Sequence, residues 1–91
     1  MITPEEEDYS DCCIFCKIAS GSAPAAVLYK DDIVTAFEDT HPIAPIHVLI
    51  IPNNHYSSLN HTDETDEILL GHLIIIARKL AKEMGIDSRG Y

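Results

Sequence analysis

Apolar residues along the chain fall into short blocks divided by glycine, proline and acidic punctuation. The run Cys13 to Ala19 predicts a short helix, closed by Gly21 and kept from continuing by Pro24. Val27 to Lys30 reads as a brief strand, Asp31-Asp32 as a turn, and Ile33 to Phe37 as a second strand that pairs with the first as a hairpin. In Thr40-His41-Pro42-Ile43-Ala44-Pro45, two prolines forbid a regular ladder, so a rigid loop is expected. Ile46 to Ile51 is β-branched and almost wholly apolar, the clearest strand pattern in the chain. Pro52 ends it, and Asn53-Asn54 makes a turn.

Thr62 to Met84 reads as a helix. Thr62 or Asp63 supplies its cap, and Glu64, Asp66 and Glu67 suit the positive end of its dipole. Leu69, Leu73, Ile76, Leu80 and Met84 recur at helical spacing and form one apolar stripe. Arg78, Lys79 and Lys82 lie toward the C-terminal end, where cations are favoured, and Gly85 is the expected C-cap. Ile68 and Ile75 fall off the stripe, as a second buried face at a dimer contact or as ordinary exposed apolar residues. The order is short helix, hairpin, loop, strand, long helix: an α+β class with an antiparallel sheet.

Length and composition narrow the picture. Ninety-one residues make one small domain, a size at which a metal or a second subunit often supplements the core. The apolar fraction of 46% argues for a folded core, and no apolar run is long enough to span a membrane. No basic and apolar leader opens the chain, so a cytoplasmic location is expected. Glu5, Glu6, Glu7 and Asp8 mark residues 1–12 as an acidic, disordered tail ahead of a domain over 13–91. A net charge of −9 argues against a DNA or RNA strand as partner, whereas a single nucleotide needs mainly apolar contacts and hydrogen bonds.

Three cysteines, Cys12, Cys13 and Cys16, crowd one end of the chain, which is not a disulfide framework. Cys13-x-x-Cys16 places two thiols within reach of one ion, and zinc takes Cys and His in a tetrahedron. A redox pair and two inert buried thiols are the alternatives. His55, just after the Pro52 turn, is a third candidate ligand or a plain loop histidine, and no spacing singles out His41, His61 or His72 as a fourth. His47 shares a strand face with Leu49 and Ile51. It is either a hydrogen-bonded structural histidine or an acid/base group in a pocket. Phe37 and Asp39 are two apart and project to one side if the strand continues. Such a ring and carboxylate suit a nucleoside base and its ribose, although by local pattern Phe37 is core and Asp39 a turn residue.

Several segments carry a family resemblance in one order and spacing. They are Cys13-Ile-Phe-Cys-Lys-Ile18, Gly21, Pro24-Ala25, Ala36-Phe-Glu-Asp39 and Pro42-Ile-Ala-Pro-Ile-His47-Val-Leu-Ile-Ile-Pro52-Asn-Asn-His55. Leu70-Gly-His-Leu73 and Gly85-Ile-Asp-Ser-Arg-Gly-Tyr91 continue the match. Together, over residues 13–91, they resemble the histidine-triad (HIT) family, in its branch of histidine triad nucleotide-binding proteins.

The resemblance implies a five-stranded antiparallel sheet with two helices, a homodimer with joined sheets, and a pocket for a purine mononucleotide or nucleoside phosphoramidate. By motif match, Ile14, Phe15, Ile18, Phe37 and Leu49 would line the base site, Asp39 would hold the ribose, and His47 would belong to the histidine cluster. In zinc-bearing members the equivalents of Cys13, Cys16 and His55 are ligands, and a triad histidine is the fourth. The family's His-x-His-x-His segment, whose middle histidine is the nucleophile, is not within these 91 residues and is expected some two dozen residues past Tyr91. The resemblance thus implies a purine nucleoside phosphoramidase or nucleotidyl hydrolase as the parent domain, with little catalysis and only part of the sheet in the chain as written. A non-catalytic nucleoside- or partner-binding module and a small zinc-stabilised structural domain are the competing functions.

Overall fold

The computed structural model describes residues 13–91, so the acidic tail expected over 1–12, with Cys12, lies outside the described residues. Helix α1 spans Ile14–Ser20. It ends where Gly21 turns left-handed at φ 83°, with Gly21 N–H donating to Ile18 O and Ser22 N–H to Lys17 O. This paired closure is the geometry for which glycine is favoured after a helix.

Strands β1 (Val27–Lys30), β2 (Val34–Glu38) and β3 (Val48–Pro52) form an antiparallel sheet in that spatial order. The β2–β3 register pairs Val34 with Pro52, Ala36 with Ile50, Phe37 with Leu49 and Glu38 with Val48. The β1–β2 pairing contains an irregularity between Val27 and Tyr29. Pro52, expected to stop β3, is its last member, a position where the missing N–H is tolerated.

The expected β3 start at Ile46 is corrected to Val48, which leaves His47 just outside the strand. Asp39 N–H still donates to His47 O at 2.9 Å, extending the ladder by one bond. Beyond it the Asp39 carboxylate turns back to accept the His41 N–H at 3.0 Å. That local turn, together with the N–H groups missing at Pro42 and Pro45, ends the pairing.

Two short 3-10 turns, Leu59–His61 and Glu64–Asp66, lead into helix α2, Glu67–Glu83. Of the two candidate caps, Asp63 is the one used. It accepts from Thr65 N–H, while Asp66 accepts from Asp63 N–H in a reciprocal box; the Thr62 hydroxyl instead donates to Leu59 O. The expected first helical turn is therefore 3-10, a common tightening at helix ends. Gly85, at φ 74°, follows the last helical residues, and Ile86 N–H closes on Ala81 O.

Helix α2 lies against the face of the sheet that carries Val34, Ala36, Val48 and Ile50. Ile76 and Leu80 form a core with Val34 and Ala36, and Leu69 and Leu73 pack against it. Met84, the last position of the predicted stripe, is half-buried. Ile68 and Ile75, off the stripe, are 79% and 41% exposed. β2 is the central strand, and Val34 to Phe37 are buried on both faces.

A polar network fastens these layers. The Asp31 carboxylate accepts from Ile33 N–H and Val34 N–H at 2.8 Å each and from Tyr29 OH at 2.7 Å, and it lies 2.6 Å from His72 Nε2 on α2. Its main-chain carbonyl accepts from Asn53 Nδ2, and Asn53 Oδ1 accepts from the fully buried Thr35 hydroxyl. Burial alone would push the Asp31 carboxyl up; the bonds from His72, Tyr29, Val34 and Ile33 outweigh it and hold the group well below the usual carboxylate range.

Two stability predictions follow from this packing. Ile76→Ala should destabilise the fold by about 2–5 kcal/mol, the usual range for truncating a buried aliphatic, in urea unfolding followed by circular dichroism. Asp31→Asn should cost about 1–3 kcal/mol at neutral pH. Because the folded carboxyl titrates below its unfolded value of about 4, its contribution is present above that value and lost as pH falls toward the folded one. The gap between wild type and Asp31→Asn should therefore narrow between pH 7 and pH 3; a gap that stays constant would contradict this account.

Candidate functional site

The loop that leaves β3 brings His55 back over the first turn of α1. There His55 Nδ1 lies 3.1 Å from Cys16 Sγ. With Cys13, whose residue precedes the helix, these two offer three ligand atoms all within 4.8 Å of one another. The helix start supplies both thiols because a spacing of three puts Cys13 and Cys16 on one side of a helical turn. Burial, then the hydrogen bond and charge of neighbouring Cys13, push the Cys16 thiol up. A thiol raised in this way is a poor nucleophile and redox centre until a cation replaces its proton. Cys13, Cys16 and His55 could thus hold a metal ion, and two soft thiolates with an imidazole match zinc-type chemistry. A cavity of about 430 Å³, walled by Phe15, Ile51, Pro52 and Tyr56 among others, opens beside the group.

The residues expected at a base site lie across α1 and the far face of the sheet. Phe15 faces Phe37 with ring centroids 6.2 Å apart and planes tilted by 46°. Phe37 and Ile18 are buried, Ile14 and Phe15 are exposed, and Leu49 sits half-buried opposite Phe37 in the β2–β3 ladder. Phe37 accordingly serves the core while its neighbour Phe15 presents a ring outward.

At the opposite end of β3, Asp39 and His47 close the proline loop. His47 Nδ1 lies 3.3 Å from Asp39 Oδ2, and both side chains are partly open to solvent. Ile43 N–H also donates to His47 Nδ1, at 3.3 Å. Glu38, Pro42, Pro45 and Met84 complete a small cavity there. The expected site residues therefore form two clusters, Cys13–Cys16–His55 and Asp39–His47, with the rings of Phe15 and Phe37 tilted against each other on the α1 side of the sheet. The other histidines are engaged elsewhere: His41 with Thr40, His61 with Ser58, and His72 with Asp31. The Asp31–His72–Asn53 network was not foreseen. Its one sequence signal is that His72 falls beside Leu69, Leu73 and Ile76 on the sheet-facing side of α2.

Comparison with known proteins bears on the same segments. Residues 12–90 match the family described as "Scavenger mRNA decapping enzyme C-term binding". An uncharacterized HIT-like protein of Buchnera aphidicola is 45% identical over 78 residues, which are 86% of this chain and 70% of that protein. The chain belongs to the histidine-triad (HIT) family. The purine nucleoside phosphoramidase of Escherichia coli is 44% identical over 78 residues, 86% of this chain and 66% of the enzyme. The chain thus spans about two thirds of the length of such HIT relatives. Among solved structures, a HIT family hydrolase from Legionella pneumophila superposes with a TM-score of 0.84 at 44% identity, covering 87% of this chain and 70% of that one. A histidine triad protein from Clostridium difficile gives 0.82 at 39% identity, over 99% and 72%. The α+β reading and the HIT resemblance are both borne out. Among the described residues, no helix is long and apolar enough to cross a membrane.

The cysteine and histidine group generates a direct test. Zinc or cobalt(II) added to the folded protein should shield Cys13 and Cys16 from alkylation, read thiol by thiol from peptide masses. His55→Ala should remove most of that shielding. Alkylation rates indifferent to the metal in the wild-type protein would rule the group out as a metal centre.

Proposed function

We propose that this HIT chain is the nucleotide-binding portion of a purine nucleoside phosphoramidase or nucleotidyl hydrolase. Its nucleophilic histidine belongs to a His-x-His-x-His segment outside these 91 residues. The observation that carries the reading is the placement of Asp39 two residues beyond Phe37, just past the end of β2, with the Phe15 ring tilted against Phe37. The similarity to the Escherichia coli phosphoramidase along the same segments supports the substrate class.

In this reading the base lies against the exposed ring of Phe15 and the side chains of Ile14, Ile18, Phe37 and Leu49. The Asp39 carboxylate accepts from the ribose hydroxyls, an acceptor-only group suited to a pair of O–H donors. His47, next to Asp39, stands on the side toward which the phosphate would extend and belongs to the histidine cluster. These contacts fix the α-phosphorus for in-line attack, the contribution that positioning makes to a covalent nucleotidyl transfer.

Cys13, Cys16 and His55 would hold zinc, with a further donor completing the tetrahedron. Their fit rests on the mutual approach of the three ligand atoms and on the soft donor set. A zinc ion bound there supplies a structural cross-link between the start of α1 and the exit of β3. Residues 13–91 form the folded unit, the working assembly is a homodimer, and the location is cytoplasmic. A non-catalytic nucleoside-binding module is the second reading, and it rests on the same Phe15, Phe37 and Asp39 placement.

Calorimetry with adenosine monophosphate is the first test. Saturable heat is expected at millimolar ligand or below, and Asp39→Ala should weaken binding about tenfold through loss of its charged hydrogen bonds. Absence of heat from a folded sample would overturn both readings. Release of ammonia from an adenosine phosphoramidate by the protein from its own source separates the enzyme from the binding module.

A further inference from the structure

The end of β2 and the start of β3 are tied by contacts that converge on one ring nitrogen. His47 Nδ1 is 3.3 Å from the backbone N of Ile43, which donates to it, and 3.3 Å from Asp39 Oδ2. An imidazole nitrogen has one in-plane site, either a lone pair or an N–H. With a lone pair it accepts from Ile43 and leaves Asp39 Oδ2 without that partner. With a proton it cannot accept from Ile43 N–H, and its positive charge is drawn to Asp39 Oδ2, 3.3 Å away. The two partners are mutually exclusive. Asp39 Oδ1 is held by His41 N–H at 3.0 Å in either case, so Oδ2 is the oxygen whose availability changes.

We infer that His47 is a positioning residue for Asp39: a proton on His47 Nδ1 draws the Asp39 carboxylate away from a bound ribose and unpins the proline loop at Ile43. The inference rests on the proposed role of Asp39 as ribose acceptor and adds the element that regulates it. Two carboxylates, Glu38 and Asp39, face His47, and among the described residues Asp39 is the one within ion-pair distance. Glu38 and Asp39 come from the end of β2, Met84 from the C-terminal end of α2 is uncharged, and Tyr91 lies beyond it. The other titratable group of the loop, His41, has its ring on the Thr40 hydroxyl. Histidine is the side chain type that gains and loses a proton near neutral pH, so ribose recognition at this site acquires a dependence on pH.

The sign is fixed by the geometry. At high pH the lone pair anchors Ile43 and Asp39 accepts from the ribose. At low pH His47 competes for Oδ2, and nucleosides with ribose hydroxyls bind more weakly. A carboxylate oxygen keeps a second lone pair and both side chains are partly exposed, so weakening rather than loss is expected, about three- to tenfold.

The test is calorimetry on the whole protein with adenosine and with 2′,3′-dideoxyadenosine, at about pH 8 and about pH 5.5. Neither ligand carries a phosphate that titrates in this interval. Adenosine should weaken about three- to tenfold on acidification while the dideoxy compound changes little. The drop should vanish in His47→Gln and persist in His41→Gln, with folding checked by circular dichroism. If His47→Gln does not fold, the comparison of the two ligands on the unsubstituted protein decides. Equal acid sensitivity of both ligands, or an adenosine affinity indifferent to pH, overturns the inference and leaves the nucleoside reading standing. Failure of adenosine to bind at either pH overturns both.

Discussion

The Asp31 carboxylate sits where the β1–β2 turn, helix α2 and the exit of β3 converge, and the geometry of the chain depends on how its lone pairs are shared. Two backbone N–H groups shape the turn, Tyr29 anchors the outer strand, and His72 ties the helix to the sheet. Through its own carbonyl, Asp31 also holds Asn53, which in turn holds Thr35 on the central strand. A carboxylate supplied with this many protein donors keeps its bonds where α2 docks over the apolar face carrying Val34 and Ala36. Asn53 is two residues ahead of His55, so the same network that docks the helix also sets the point from which the metal-ligand candidate is presented.

The β2–β3 register carries the second constraint. Phe37 pairs with Leu49, which puts Thr35, Phe37, Leu49 and Ile51 on the α1 side, while Val34, Ala36, Val48 and Ile50 face α2. Because β2 is buried on both sides, a slip by one residue would exchange the two sets and place Thr35 in the helix-facing core. The register also spaces the two candidate clusters. His47 precedes the first residue of β3 and His55 follows the turn after its last, so one five-residue strand separates Asp39–His47 from Cys13–Cys16–His55.

Much of this was legible in the residues. The three strands, the β1–β2 hairpin, the short N-terminal helix closed at Gly21 and the stripe of α2 follow from periodicity and punctuation, because β-branched runs and helical spacing each satisfy one packing geometry. The proximity of Cys13 and Cys16 follows from their spacing; that His55 joins them depends on a long-range return of the chain that periodicity does not encode. Boundaries were less legible. β3 begins at Val48 rather than Ile46 because the Asp39 carboxylate captures the His41 N–H, and the start of the long helix is a 3-10 turn because Asp63 and Asp66 cap each other. His72 looked like one more histidine without a favoured spacing, since its partner lies 41 residues away on a turn read only as a turn. The HIT assignment drew on the joint order of many such segments, none of which is decisive alone.

The chemistry at the two ends of β3 is unlike in kind, and the charge of the chain explains why the sites must be local. With a net charge of −9, the long-range field of the protein repels a phosphate, so the proposed nucleotide binding has to come from groups in contact with the ligand. In the proposed nucleotide reading, apolar contact with Phe15 and bonds accepted by Asp39 both act at short range. A divalent cation held by Cys13, Cys16 and His55 would displace the two thiol protons and leave the charge of the group unchanged, beside the ring of Phe15 that walls the same cavity. Filling that centre would therefore act on the fold, bracing α1 against the exit of β3, and not on the long-range field of the chain.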